Sequence, residues 1–157
     1  MTDRKRGFEL CTGKGKVEYA DYVKMPQRAT KQSAGYDCYA PYSFLLKPGE
    51  MIKINTGLKA YMQPGEVLLA FPRSSLGFKY FCRLANTVGV IDADYYGNPD
   101  NEGAIGMELR NEGGEPMYIE RGQAIAQFIF MPFLLADGDS YQQGADRMGG
   151  FGSTDRG

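Results

Sequence analysis

The amino-acid sequence predicts an all-β domain, a jelly roll or distorted β-barrel with a flexible C-terminal arm, on three observations. Twenty-one glycines and eight prolines are spread almost evenly along 157 residues, so turns recur throughout. Between them lie short apolar or alternating runs, each the length of a strand. No window of ordinary helix length sustains apolar residues at i, i+3, i+4 and i+7.

In chain order, the runs that predict strands are 43–46, 51–56, 58–62, 66–71, 104–109, 117–119 and 124–133. Lys47-Pro-Gly, Gln63-Pro-Gly and Asn111-Glu-Gly-Gly punctuate them as tight turns. The best helix candidate is one or two turns over 74–80, just after Pro72. The segment from Asn86 to Gly97, with apolar residues, two acids and two glycines, suits a hairpin. Residues 1–24 form an extension that carries a first strand, 25–140 the β domain, and 141–157 a polar, Gly-rich arm nearly without core residues. Such an arm either orders over a ligand or stays a frayed end.

Composition narrows the function. A net charge of −1 and a pI near 5.5 argue against electrostatic binding to a long nucleic acid. No apolar run approaches the roughly 20 residues that cross a bilayer, and the charged start of the chain lacks the apolar stretch of a signal peptide, so a cytoplasmic location is expected. Cys11, Cys38 and Cys82 are scattered without C-x-x-C spacing and read as reduced, partly buried thiols. There is no histidine, which removes Ser-His and Cys-His nucleophile pairs and His-bearing zinc sites. A base, if the chain is an enzyme, is then a carboxylate, with Arg, Lys, backbone amides or a ligand-borne metal supplying positive charge.

Three segments carry candidate chemistry. Asp92 and Asp94 sit in Gly89-Val-Ile-Asp-Ala-Asp-Tyr-Tyr-Gly, as backbone-capping turn residues or as a catalytic acid. Alternation puts the two on one side of a regular strand, and a turn would separate them. Phe71-Pro-Arg-Ser-Ser-Leu-Gly-Phe-Lys offers Arg73, the Ser74 and Ser75 hydroxyls and Lys79, as an anion site or as a surface Arg beside a Ser N-cap. Gly149-Gly-Phe-Gly-Ser-Thr lacks the spacing of a Walker motif, yet its amides can face phosphate oxygens while Phe151 covers a base.

These residues resemble the homotrimeric dUTP pyrophosphatases (dUTPases), a family related to the dCTP deaminases. The resemblance runs from about Met25 to Thr154 through five stretches in order. They are Ser33-Ala-Gly-Tyr-Asp-Cys-Tyr-Ala, Pro72-Arg-Ser-Ser-Leu-Gly, Gly89-Val-Ile-Asp-Ala-Asp-Tyr-Tyr-Gly, Gly122-Gln-Ala-Ile-Ala-Gln and Arg147-Met-Gly-Gly-Phe-Gly-Ser-Thr. The resemblance implies a jelly-roll homotrimer whose three sites are each assembled from all three chains. It implies hydrolysis of dUTP to dUMP and pyrophosphate, which limits uracil in DNA and supplies dUMP for thymidylate synthesis. By matching positions, Asp92 activates a water for attack on the α-phosphorus, and Tyr95 lies under the deoxyribose and excludes a 2′-hydroxyl. Asn86 and the backbone around Gly89 and Ile91 read the uracil edge in a tight hairpin. Arg73, Ser74 and Ser75 bind phosphate and Gln127 fixes the phosphate end. Phe151 stacks on uracil while Arg147, Gly152, Ser153 and Thr154 close over the phosphates. Asp37 is an orienting residue that reaches the metal through water. Mg²⁺ rides on the substrate phosphates with no direct protein ligand.

The chain departs from the family pattern in four places. Ala124 stands where an Arg normally precedes Ile-Ala-Gln; Asp146 takes the usual arm Arg position, with Arg147 one residue later; and Asp155 replaces the Gly after Ser-Thr, with Arg156 beside it. Residues 98–103 are an insertion, expected to do nothing beyond lengthening a turn. Glu108 occupies the place of the deaminases' catalytic Glu, so deamination of dCTP, alone or coupled to dUTP hydrolysis, is the runner-up. Against it stands Ile91-Asp-Ala-Asp-Tyr in place of the deaminases' Ile-Asp-Pro-Gly-Phe, which leaves Glu108 a surface or inter-subunit strand residue. A nucleotide-sensing protein that binds a regulator through the same fold is the third reading.

Overall fold

The computed structural model describes residues 3–139. The expected arm, with Arg147, Phe151, Gly152, Ser153 and Thr154, lies outside the described residues.

The fold is all-β, as the turn punctuation predicts. Its strands are β1 (Gly7–Leu10), β2 (Gln27–Arg28), β3 (Tyr36–Tyr39), β4 (Phe44–Leu46), β5 (Met51–Asn55), β6 (Leu58–Tyr61), β7 (Glu66–Pro72), β8 (Cys82–Leu84), β9 (Gly89–Asp92), β10 (Gly106–Asn111), β11 (Met117–Ile119) and β12 (Ala124–Pro132). A single α-helix among the described residues, α1 (Ser74–Tyr80), falls where the sequence predicts it. Its N-cap is Arg73 rather than a Ser, with no side-chain cap bond, so Ser74 and Ser75 are exposed residues of the first turn.

Among the described residues every ladder is antiparallel. One sheet runs β2-β3-β12-β7-β9 and a second β5-β10-β8, with two further pairs, β1-β6 and β4-β11. Period-two burial drives this arrangement: along β10, Met107, Leu109 and Asn111 point inward while Glu108 and Arg110 do not. Ile54 and Leu68, on β5 and β7, and Met117, Ile119, Ile125 and Phe128, on β11 and β12, are completely buried and fill the space between the sheets. Most of the stability comes from this apolar burial.

The expected hairpin over 86–97 is corrected. β8 pairs with β10, whereas β9 pairs with β7, so residues 85–88 hand the chain from one sheet to the other. The cause is burial: Cys82 and Leu84 of β8 belong to the core on the β10 side, and β9 completes the open edge of β7. Thr87 turns the corner at φ 69°, and Val88 N donates to Asn86 O over 2.7 Å.

The insertion is also more than a lengthened turn. Asn98 and Gly103 are buried, and the segment is bonded to the stretch that follows β1.

Candidate active site

Register builds the first group of candidate residues. Asp37 on β3, Gln127 on β12 and Phe71 on β7 stand opposite one another in a row across three strands. Directly opposed residues share a sheet face, so Asp37 and Gln127 point the same way. β7 then ends and delivers Arg73 beside them: its Nη1 donates to Asp37 Oδ1 over 2.6 Å. Gln127 Nε2 donates to Pro72 O at 3.3 Å, which ties the amide to the same chain end. Asp37 is itself buried, so its bond to Arg73 offsets the cost of holding a carboxylate away from water. A cleft of about 680 Å³ opens over Arg73, Ser74 and Gln127, walled by Pro72, Phe78 and Phe81. Phe78 is 86% exposed, an apolar rim beside a cationic floor.

Local chemistry excludes a thiol nucleophile in this region. Burial, and then the charge of Asp37, push the Cys38 thiol to about 12, and burial pushes Cys82 to about 11. Both stay protonated at neutral pH, and a protonated thiol is a poor nucleophile.

The other group of candidate residues lies elsewhere in the chain. Asp92 is the last residue of β9 and stands opposite Val67, near the start of β7. Arg73 follows the other end of that strand. Six residues at about 3.3 Å each separate the two by about 20 Å, beyond the combined reach of both side chains. The chain therefore brings together Asp37, Arg73, Ser74 and Gln127, with Ser75 the next residue along α1 but not in the cleft lining, and keeps Asp92 apart with Gly89, Ile91 and Tyr95. After Asp92 the strand gives way to a 3₁₀ turn, Ala93–Tyr95, which separates Asp94 from Asp92. Tyr95 is only 8% exposed, and its hydroxyl donates to Ala104 O at 2.9 Å. Ile91 is half-buried against the core, Gly89 opposes Ala70, and Asn86 is exposed at the corner between β8 and β9.

Glu108 lies outside both groups. It is half-exposed on β10, opposite Lys53 of β5. Ala124 opens β12 opposite Tyr39, and no helix among the described residues is long and apolar enough to cross a membrane.

Sequence reasoning missed the contacts that support the second group. Asn101 Nδ2 donates to the Tyr95 hydroxyl at 2.7 Å, and Glu102 is held by the loop after β1. Nothing in the local sequence links residues 12–15 to residue 102. The cleft walls Phe78 and Phe81 also carried no motif, although two aromatics beside an Arg-Ser-Ser run are a usable signal.

Similarity to known proteins bears on the family and the fold. A dUTPase family profile matches residues 21–155. The deoxyuridine 5'-triphosphate nucleotidohydrolase of Lactococcus lactis subsp. lactis (strain IL1403) is 52% identical over 149 residues, spanning 95% of this chain and 97% of that protein. The crystal structure of dUTPase from Streptococcus mutans superposes with a TM-score of 0.71 at 43% identity, covering 84% of this chain and 99% of that one. A variant dUTPase from phage phi11 of S. aureus, described with a structural Mg(II) ion, shares the fold at a TM-score of 0.66 and 22% identity, over 85% of this chain and 94% of that one. With a family match that spans most of its length and a relative 52% identical over 95% of it, the chain belongs to the dUTPase family.

Proposed function

We propose that the chain hydrolyses dUTP to dUMP and pyrophosphate in a homotrimer whose sites are shared between subunits. Family membership supports the reaction. The single observation that carries the shared site is the separation of Asp92 from Arg73 by about 20 Å of β7 within one subunit, at the usual rise per residue. A second copy that presents its Asp92 to the cleft over Arg73, Ser74 and Gln127 completes the site, and a closed ring of head-to-tail contacts repeats it three times.

In that site the triphosphate lies along the cleft, with Arg73 and the hydroxyls of Ser74 and Ser75 neutralising and positioning it. Gln127 fixes the phosphate end, and Asp37 orients Arg73. Asp92 orients a water in line with the α-phosphorus. The water oxygen forms the new bond to phosphorus, the bridge to the β-phosphate breaks, pyrophosphate leaves, and the water's proton passes by way of Asp92 to solvent. Carboxylates in general are weak bases, so most of the acceleration comes from alignment and charge neutralisation. Tyr95 packs under the deoxyribose, while Asn86 and the backbone of Gly89 and Ile91 meet the uracil edge. Phe151 and Arg147, with Gly152, Ser153 and Thr154, cover the base and phosphates.

Mg²⁺ suits this donor set as a substrate-borne ion. No group of three or more acids, cysteines or histidines that could hold a metal occurs among the described residues, and Mg²⁺ commonly keeps its waters and binds through phosphates. When bound, it neutralises charge on the triphosphate. The three free, buried cysteines support a reducing, cytoplasmic setting.

The deciding assay incubates the protein with dUTP, dCTP, dTTP and UTP plus Mg²⁺ and resolves the products. Turnover of dUTP alone, to dUMP and pyrophosphate, is expected. No turnover of dUTP overturns the proposal, and ammonia released from dCTP replaces it with the deaminase reading.

A further inference from the structure

The loop between Tyr95 and β10 is held from outside by the N-terminal stretch. Glu102 takes a left-handed backbone, φ 68°, and aims its carboxylate at the loop after β1. Four donors meet it: the amides of Thr12 at 3.1 Å, Gly13 at 2.7 Å and Gly15 at 3.0 Å, and Lys59 Nζ at 2.8 Å. Lys59 is itself fixed on β6, opposite Glu9 of β1. Two more bonds fasten the same pair of segments. Tyr96 donates to Glu9 at 3.0 Å, and Lys14 Nζ donates to Pro99 O at 2.8 Å.

The clamp presses directly on Asn101. A side-chain carbon at Gly15 would lie 2.4 Å from Asn101 O, so the N-terminal loop reaches that residue only because it has none. The Asn101 amide is then fixed at both ends. Its Oδ1 accepts from Gly103 N at 3.0 Å, and its Nδ2 donates to the Tyr95 hydroxyl at 2.7 Å. Tyr95 O is close behind: a side-chain carbon at Gly103 would lie 2.5 Å from it.

We propose that the insertion and the N-terminal loop form a positioning relay, in which Glu102 locks the loop and Asn101 passes that rigidity to the Tyr95 ring, setting how strictly the site excludes a 2′-hydroxyl. Asn101 and Glu102 are positioning residues, since they touch Tyr95 and its loop rather than substrate. The proposal rests on the reading that Tyr95 packs under the sugar. Its physical basis is that a ring discriminates against one added oxygen only if it cannot recede, and a few tenths of an ångström of slack relieves such a clash.

Steady-state kinetics on dUTP and UTP with Mg²⁺ test it, using the full chain and the variants Asn101→Ala, Glu102→Ala, Tyr95→Phe and the double variant Tyr95→Phe/Asn101→Ala. Asn101→Ala and Glu102→Ala should each narrow the dUTP-to-UTP preference in kcat/KM about tenfold, the worth of one well-formed hydrogen bond. The change should sit mainly in KM, because the ring contact is made in ground and transition states alike. In its dUTP-to-UTP preference the double variant should be no worse than Tyr95→Phe alone, since both changes cut the same Asn101–Tyr95 bond. Asn101→Ala removes one amide, with its bonds to the Tyr95 hydroxyl and Gly103 N, and keeps the test open if Glu102→Ala fails to fold.

If Tyr95→Phe narrows the preference while Asn101→Ala and Glu102→Ala only lower the melting temperature, the relay is overturned. If Tyr95→Phe also leaves the preference intact, the hydroxyl contact does not hold the ring and the relay falls. A wild-type protein that does not hydrolyse dUTP fails the separate product assay, which marks the function itself as wrong.

Discussion

The Arg73 guanidinium donates to the Asp37 carboxylate over 2.6 Å, joining the residue that follows β7 to the middle of β3. Asp37 is the more enclosed partner, with 10% of its side chain exposed against 33% for Arg73. The carboxylate therefore stays put and the guanidinium is the group it aims.

Asp37→Asn keeps the shape and removes the charge. Arg73 should then sample several rotamers and bind phosphate less well, raising KM for dUTP about tenfold, the scale of one charge-assisted bond. Far-UV circular dichroism should be unchanged. A variant with wild-type KM would remove Asp37 from its orienting role.

Gly35→Ala separates positioning from stability. A side-chain carbon at Gly35 would lie 2.2 Å from Gln127 Oε1. That atom is the end of a flexible side chain, so the amide swings away at small cost and leaves Pro72 O and the cleft. The expected result is an elevated KM for dUTP with a melting temperature within about 2 °C of wild type, the size of shift that well under 1 kcal/mol produces. An unchanged KM would show that Gln127 does not position the phosphate end.

Much of this layout is legible in the sequence because its signals are local. Turn dipeptides bounded β4 to β7, and Pro72 marked the start of α1. The strands that escaped notice lack a readable run: β3 carries Asp37 in its centre, and β2 spans two residues. β9 is legible as part of a motif but not as an edge strand of β7, because that pairing spans 22 residues from Leu69 to Val90 and is set by the shape of the core. The motif residues Asp37, Arg73 and Gln127 do meet. The support of Tyr95 was invisible, because the anchor of Glu102 comes from residues 12–15, and no pattern in either segment announces the other.

Glu102 gives a pH signature. The Lys59 ammonium, with the three backbone amides, lowers its carboxyl from 4.5 to about 2. A carboxyl whose folded pKa is depressed adds stability that is fully present above its unfolded value and is lost as pH falls toward the folded one. The window is therefore about pH 4.5 down to about 2. Glu102→Gln should melt several degrees lower than wild type at pH 7, and the gap should shrink as pH drops through that window. A gap that stays constant with pH would mean that the carboxylate adds nothing through its charge.

The last prediction concerns how the two half-sites meet. Asp92→Asn should abolish turnover while leaving dUTP binding largely intact, and Arg73→Ala should cripple binding of the triphosphate. If Asp92 and Arg73 of one site come from different subunits, mixing the two inactive variants restores some sites. Each intact site needs its Asp92 from an Arg73→Ala chain and its Arg73 from an Asp92→Asn chain, so an equal, randomly assembled mixture should regain about a quarter of wild-type activity in a cyclic head-to-tail oligomer. Unfolding and refolding the chains together, followed by the dUTP assay and light scattering, reads both activity and trimer mass. A site built within one subunit would stay dead in every mixture, because each chain carries one lesion. That result would overturn the shared site even if dUTP hydrolysis itself is confirmed.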